Sequence, residues 1–257
     1  MTAPATVRAT RYVTPLREGG SLPALMEADD DGLYVVKFRG AGQGPKALVA
    51  ELIAGELARR LGLAVPELAF VELDAVLGLA EPDPEIQDLI SASAGLNIGL
   101  DFLPGSLPFD PAVDMPLDPA LAAAVVWFDA LVTNVDRTPR NPNLLVWHDR
   151  LWLIDHGAAF YAHHQTWQFA SHAGRPFPLI GEHVLLPFAG SILDADAALA
   201  ASLDRTLLEE VVALVPASWL GEDADERRAE YVSYLEARLT GPRGFAEEAE
   251  RARLAAR

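Results

Sequence analysis

Short apolar strands that do not alternate regularly with helices are the feature that most limits how this chain can fold. The stretches 33–38, 68–73 and 97–103 are rich in apolar, β-branched or aromatic residues and are short enough to be single strands. Pro and Asp are frequent in 104–119, which we interpret as a connection between two parts of the chain. Because no βαβ series appears, the sequence predicts an α+β fold rather than a doubly wound parallel sheet.

Helical spacing of apolar residues predicts a helix over 46–61 and an apolar helix over 119–133. Two short apolar runs, 144–147 and 151–154, are joined by a tight polar turn and predict a β-hairpin. We expect mostly loop after residue 155 and helices from about residue 194 to the end.

Charge and composition exclude several classes of function. The 257 residues carry 37 acidic and 20 basic side chains, for a net charge of −17. Nucleic acids and anionic membrane surfaces require clustered Lys and Arg, so we expect neither as a partner. The absence of cysteine excludes disulfides, thiolate catalysis and cysteine-bound zinc. With no apolar start of signal-peptide type and no run long enough to span a membrane, we expect a cytoplasmic protein.

Lys37 is the first candidate for chemistry, because it interrupts an apolar strand. It could be an edge-strand lysine with its ammonium in solvent, or it could bind phosphate, which would require a carboxylate to hold it. The next helix offers Glu51, whose helical neighbours at positions 47, 54, 55 and 58 are all Ala or Gly, small enough for a strand to approach. The competing Glu56 lies four residues before Arg60, so we predict an exposed Glu56–Arg60 pair and assign the partner role to Glu51.

The polar loop after the apolar helix contains Asp136 and, five residues later, Asn141. An aspartate can orient or deprotonate an attacking hydroxyl, and an asparagine oxygen can bind Mg²⁺, which together suit phosphoryl transfer. Asp155 follows the hairpin, just before His156 and Gly157, and could bind the same metal. These residues are also common in turns, so a purely structural loop is the alternative for each one alone. The order of these residues along the chain is a more specific signal for phosphoryl transfer than any one of the residues alone.

The order of Lys37, Glu51, Asp136, Asn141 and Asp155 resembles that of the HipA-like kinases, which are similar in turn to the phosphoinositide 3-kinase-like catalytic core. The segment 61–66, Leu-Gly-Leu-Ala-Val-Pro, closely resembles the stretch that these kinases carry after their glutamate. The resemblance covers roughly residues 15–160. It implies a two-lobed protein-kinase-like fold, with a small N-lobe of sheet and helix (1–104) and a mainly helical C-lobe (105–257).

The resemblance also implies an ATP- and Mg²⁺-dependent phosphotransferase acting on a hydroxyl of a protein or a small molecule. It makes Lys37 the ligand of the ATP phosphates, Glu51 its ion-pair partner and Asp136 the catalytic base. Asn141 and Asp155 become the magnesium ligands, with Asn143 as the alternative if the loop register differs by two.

A phosphate-covering loop should precede Lys37, and Gly19, Gly20 and Ser21 are the candidates for it. In toxin members of the family a serine in that loop is a site of self-phosphorylation by the kinase, and Ser21 is the candidate counterpart here. Two features depart from the family. Thr138 stands where the family loop usually has a histidine, and the chain is short for a toxin member, so we expect no extra N-terminal subdomain.

Three other interpretations remain open. Gly40, Gly42 and Gly44 follow a strand and precede a helix, as in a dinucleotide-binding loop, although Pro45 occupies the place of the third fingerprint glycine. The six histidines all fall within 148–183 and could bind a metal, although we expect them to be solvated or to contact substrate. A third interpretation is a weak or inactive kinase-like protein that only binds nucleotide; Thr138 favours it, and the five matching polar residues argue against it.

Overall fold

The computed structural model describes residues 3–16, 22–42, 44–113 and 115–256. Over these residues the chain combines β-strands and α-helices, as the sequence predicted. The strands are β1 (Ala5–Pro15), β2 (Ala24–Ala28), β3 (Leu33–Lys37), β4 (Leu68–Leu73), β5 (Gly95–Asp101), β6 (Leu107–Pro108), β7 (Leu144–Trp147) and β8 (Arg150–Leu153). The α-helices are α1 (Pro45–Arg60), α2 (Pro84–Ala92), α3 (Pro119–Val132), α4 (Ile192–Leu199), α5 (Arg205–Ala213), α6 (Ala217–Leu220), α7 (Ala224–Thr240) and α8 (Gly244–Ala255).

The first five strands form a closed barrel in the order β1-β2-β3-β5-β4. All neighbours in it are antiparallel except β1 and β4, which run parallel with Ala5 opposite Ala69. Its interior is a separate apolar cluster that includes Val7, Met26 and Val36. This closed sheet with one parallel pair is not the parallel, doubly wound sheet that a dinucleotide-binding fold requires.

The barrel is narrow enough to require a glycine in β5. A Cβ on Gly99 would lie 2.7 Å from Val71 Cγ2 and 3.2 Å from Tyr34 Cβ, so no larger residue fits without moving a neighbour. In the pairing of β3 with β5, Lys37 lies opposite Ile98. Lys37 is the last residue of β3.

Helix α1 begins at Pro45, a residue suited to the first helical turn because it needs no backbone N–H there. Every residue from Leu48 to Ala58 is buried. The helix contacts β4 and β5 on one side and α5 and α6 on another, so it has almost no solvent-facing side.

Helix α3 is capped by Asp118, which accepts a hydrogen bond from Ala120 N–H, and it ends where Thr133 adopts a left-handed conformation. It lies in the main apolar core and contacts α4, α7 and α8. The strands β6, β7 and β8 form a small antiparallel sheet beside the loop that leaves α3.

Between β8 and α4 the described chain contains only short 3₁₀ helices, as the predicted loop region required. The predicted boundaries of α1, β4, α3 and the β7–β8 hairpin agree with the structure to within a residue or two. The sequence did not predict β1, β2, α2 or β6, the last of which lies in the stretch interpreted as a connection. None of the helices in the described part of the chain is both long and apolar enough to cross a membrane.

Candidate active site

Lys37 lies between two carboxylates. Its Nζ is 2.5 Å from Glu51 Oε2 and 2.5 Å from Asp155 Oδ1. The lysine is 9% exposed and Glu51 is fully buried, whereas the Asp155 side chain is 36% exposed. The predicted Lys37–Glu51 ion pair is therefore confirmed, and Asp155 joins it from a distant part of the chain. We call these three residues the open cluster.

Glu51 is held by more than the lysine. Its Oε2 accepts the backbone N–H of His156 at 2.8 Å, and His156 Nδ1 lies 3.4 Å from Oε1. Burial alone would raise the pKa of Glu51, but the charge of Lys37 and the bonds from His156 outweigh it and lower the pKa to about 2. Burial likewise disfavours the Lys37 ammonium, but Asp155 and Glu51 together raise its pKa above the usual value. Both members of the pair are thus kept charged.

The prediction for Glu56 was wrong. This side chain is 2% exposed and lies 3.6 Å from Arg59, not paired with Arg60 in solvent. Arg60 instead reaches Glu210 of α5 at 3.3 Å. The reason is that α1 is covered on nearly all sides, so residue 56 has no outer face to occupy. The choice of Glu51 over Glu56 as the partner of Lys37 nevertheless agrees with the structure.

Asp136 and Asn141 meet in the loop that follows α3. Asn141 Nδ2 donates to Asp136 Oδ2 at 2.9 Å, and Asn143 Nδ2 donates to the backbone carbonyl of Asp136 at 2.9 Å. Thr138 and Asn141 exchange two backbone hydrogen bonds of 3.0 and 3.1 Å, which closes the turn between them. Both amide side chains therefore present their nitrogen to Asp136, and their oxygens stay available for another ligand.

A second buried cluster, which we call the closed cluster, was not predicted. Asp129 of α3 is fully buried and binds Arg137 Nε at 2.5 Å and His183 Nε2 at 2.9 Å through the same oxygen, Oδ2. Leu185 N–H donates to His183 Nδ1, so Nε2 carries the hydrogen that His183 donates to Asp129. Burial would raise the pKa of Asp129, but Arg137 and His183 lower it well below its usual range.

Arg137 connects the closed cluster to both groups of candidate residues. Its Nη1 donates to the backbone carbonyl of Asn143 and, at 3.3 Å, to that of Ile154. Asn143 holds Asp136, and Ile154 is the residue before Asp155. Among the described residues the open cluster and the Asp136–Asn141 pair make no direct hydrogen bond. The two segments are joined by the buried guanidinium of Arg137 and by a backbone hydrogen bond from Ile154 N–H to the Asn143 carbonyl at 3.1 Å.

Comparison with known protein families assigns the chain to a family. The family model described as HipA-like kinase matches residues 10–240, which is most of the chain. The chain belongs to the HipA-like kinase family. Of the residues that carried the resemblance, the structure brings Lys37, Glu51 and Asp155 into contact with one another. Asp136 and Asn141 form a second contact.

A solved structure supports the same assignment of fold. The chain is similar to the crystal structure of the proinflammatory kinase CtkA of Helicobacter pylori, with a TM-score of 0.58 and 12% sequence identity. The similarity covers 97% of this chain and 99% of that one. No curated protein matches the sequence. The family and the fold together indicate a kinase.

The other sequence predictions have mixed outcomes. Gly19, Gly20 and Ser21 lie outside the described residues. Three histidines that we expected to be solvated or to contact substrate are buried and hydrogen-bonded instead: His156, His163 and His183. Each fills a polar position in the core, next to Glu51, Tyr231 and Asp129 respectively. The described residues contain no group of three or more His, Cys, Asp or Glu side chains that could hold a metal, so the histidine metal site has no support.

Proposed function

We propose that this chain is an ATP- and Mg²⁺-dependent phosphotransferase that transfers the γ-phosphoryl group to a hydroxyl of a protein or a small molecule. In this proposal residues 1–104 form an N-lobe and 105–257 a C-lobe, with the nucleotide between them. The observation that carries the proposal is the double contact of Lys37 with Glu51 and Asp155. Because Glu51 is buried and Asp155 is partly exposed, Lys37 can keep its contact with Glu51 and exchange its contact with Asp155 for a phosphate group.

Lys37 and Glu51 would act as a fixed pair. Because Glu51 is fully buried and is also held by the His156 backbone, it keeps the ammonium at the end of β3 when other charges arrive. A lysine fixed in this way supplies positive charge where phosphoryl transfer develops negative charge. Its role would be to position and to stabilise, without covalent chemistry.

Asp155 and Asn141 fit a magnesium ion by the chemistry of their donors. Mg²⁺ prefers oxygen ligands and usually keeps several waters, with one or two protein carboxylates and the substrate phosphates completing its shell. When bound, the metal would neutralise charge on the phosphates. Asp155 accepts a hydrogen bond from Lys37 through Oδ1, and Asn141 donates one to Asp136 through Nδ2. Each side chain therefore keeps one free oxygen that could bind the metal.

Asp136 would orient the acceptor hydroxyl and take its proton as the new oxygen–phosphorus bond forms and the bond to ADP breaks. Asn141 and Asn143 both donate to this residue, which holds the carboxylate in one place. Thr138 takes no part in this contact and serves the turn.

The second candidate function is a kinase-like protein that binds nucleotide with little or no transfer. Thr138 is the observation that favours it, because the family loop usually has a histidine there. A cytoplasmic location, the absence of a nucleic-acid partner, nucleotide binding by the 19–21 segment and self-phosphorylation at Ser21 stay predictions from the sequence.

The experiment combines binding with transfer. ATP with Mg²⁺ should raise the melting temperature, because a ligand that binds only the folded state stabilises it. Asp155→Asn should remove the magnesium-dependent part of that rise; Asn is preferable to Ala because residue 155 has a φ of 55°, which Asn tolerates. Incubation with labelled ATP and mass spectrometry should then show phosphate on the protein itself, at Ser21 or elsewhere, or on an acceptor in lysate.

Asp136→Asn separates the two candidates. It should lower transfer by ~10²-fold or more, the usual scale for a positioned general base, while ATP binding is retained. The matched control is Asp149→Asn, an exposed aspartate in the β7–β8 turn with a φ of 58°. Nucleotide binding without any transfer in the wild-type protein would favour the inactive kinase-like protein. If ATP with Mg²⁺ has no effect on the melting temperature, both candidates are wrong.

A further inference from the structure

A surface pocket of about 200 Å³ lies between the end of α7 and the start of α8, and arginines dominate its charged lining. It is separate from the residues assigned to the active site. We call it the arginine pocket. Its charged lining residues are Arg175, Arg238, Arg243, Arg251, Glu247 and Glu248.

Most of these arginines have no carboxylate partner. Arg243 Nε pairs with Asp196 at 2.8 Å, but among the described residues no carboxylate lies within salt-bridge distance of Arg175, Arg238 or Arg251. The chain has 37 acidic side chains for 20 basic ones, so unpaired arginines that converge on one pocket run against its overall charge. The convergence favours an external anion.

Arg238 is the buried member of the set. It is 3% exposed, and its guanidinium donates to the backbone carbonyls of Ala173 at 2.9 Å and Ala130 at 2.7 Å. These carbonyls do not neutralise its charge, and its Nε has no hydrogen-bond partner. Phe245 stacks against the guanidinium, with the carbon 4.7 Å from the ring centre, and keeps the group in a fixed orientation. A buried, rigid cation with no salt bridge among the described residues therefore forms one side of the pocket.

Helix α8 adds positive potential to the same place. It begins at Gly244 after Arg243, which has a φ of 48° and provides no side-chain cap. The first amide groups of a helix lack internal partners and carry the positive end of its dipole. Glu247 and Glu248 offset part of this potential, but the lining has four arginines against these two carboxylates, and Glu248 also accepts the backbone N–H of Phe177 at 2.5 Å.

We propose that the arginine pocket binds a phosphate-type dianion. Guanidinium groups recognise phosphate oxygens with paired, planar hydrogen bonds, which suits this ligand better than a monovalent anion. A volume of about 200 Å³ is below that of ordinary small-molecule sites and matches a single phosphate group with little attached to it. The group could be a free phosphate or a phosphorylated side chain, since both present the same oxygens.

The test is a titration of the full chain with inorganic phosphate, monitored by melting temperature at constant ionic strength. Phosphate at millimolar concentration should raise the melting temperature by ~3 °C relative to chloride. The double variant Arg175→Gln/Arg251→Gln changes two exposed side chains and should abolish this rise without lowering the melting temperature in chloride. The control Arg8→Gln/Arg11→Gln removes two exposed arginines from β1 and should keep it.

Lys37→Met distinguishes this site from the catalytic one. The phosphate effect should persist in Lys37→Met, whether or not the protein is a kinase. If it disappears there and persists in Arg175→Gln/Arg251→Gln, phosphate binds at the open cluster and the proposal is wrong. An equal rise in chloride would also overturn it.

The source of the phosphate follows from a second titration with N-acetyl-phosphoserine amide. At least ten-fold tighter binding than inorganic phosphate would identify a phosphorylated side chain as the ligand, and the reverse would identify a free anion. No binding of either one would refute the site.

Discussion

The open and closed clusters have the same chemistry and opposite access to solvent. Each contains a buried carboxylate, Glu51 or Asp129, that is paired with a cation and bonded to a histidine residue. In the closed cluster all three side chains are buried. In the open cluster Asp155 is partly exposed, so one partner of the lysine can be exchanged while the other cannot. The comparison teaches that buried carboxylate–cation pairs of the same kind can be closed to solvent at one place and open to it at another, and we propose that the open one binds nucleotide phosphate.

The largest expected effect is a difference in stability between two Asp→Asn variants. Asp129→Asn leaves the fully buried Arg137 without its counter-charge and should lower the free energy of unfolding by ~3–5 kcal/mol. Asp155→Asn leaves Lys37 paired with Glu51 and should change the free energy of unfolding by no more than about 1 kcal/mol. Urea unfolding of both variants measures the difference. Equal losses would mean that the two clusters do not differ in the way we describe.

An acid titration tests the buried half of the open cluster. A carboxyl whose folded pKa is lowered contributes stability that is present above its unfolded pKa and is lost as pH falls to the folded one. For Glu51 this window runs from its ordinary value of 4.5 down to about 2. Glu51→Gln should therefore remove roughly 3 kcal/mol of acid-dependent stability.

The control for that titration is Glu72→Gln, which changes an exposed carboxylate on β4. Stability curves against pH, obtained by urea unfolding, should be flatter for Glu51→Gln and unchanged in shape for Glu72→Gln. A wild-type slope in Glu51→Gln would show that this carboxyl is not held in its charged form.

The smallest effect concerns the histidine of the closed cluster. Burial lowers the pKa of His183 from its ordinary 6.5, more than the bond to Asp129 raises it. Its folded form therefore resists protonation, and stability is lost as pH falls below 6.5, because the unfolded chain takes up the proton first. His183→Gln, which can still donate to Asp129, should reduce this loss by at most about 1.4 kcal/mol per pH unit. His148→Gln, at an exposed position, should leave it unchanged; if the two variants behave alike, His183 is not the group that titrates.

Much of the fold was readable from local patterns, and the failures have physical causes. Strand β2, with the sequence Ala-Leu-Met-Glu-Ala, consists of good helix formers and becomes a strand only because it pairs with β1 and β3. Strand β1 buries few of its side chains, so it has little apolar alternation. Helix α2 did carry a signal that was overlooked, since Asp83 caps it, Pro84 starts it, and Ile86 and Ile90 share a face.

The candidate site shows a similar division. Lys37, Glu51, Asp136, Asn141 and Asp155 could be chosen because each is polar within or beside an apolar element. Asp129 carried the same signal, a carboxylate inside an apolar helix, and could have been noticed. Its partner His183 lies 54 residues away along the chain, in a segment without periodicity, so only the tertiary structure could identify it.

The parallel pairing of β1 with β4 also affects how the chain folds during synthesis. Ala5 meets Ala69, and β5 pairs with both β3 and β4, so the barrel cannot close until β5 has been made. Until then β1, β2 and β3 can pair only with one another, which leaves β1 and β3 with free edges, and free strand edges recruit other chains. Late closure of this kind slows folding, because the entropy of a long loop must be lost before the stabilising contact between β1 and β4 can form. Removal of β1 would leave β2 and β4 with permanent open edges, and self-association would follow before any loss of the active-site residues.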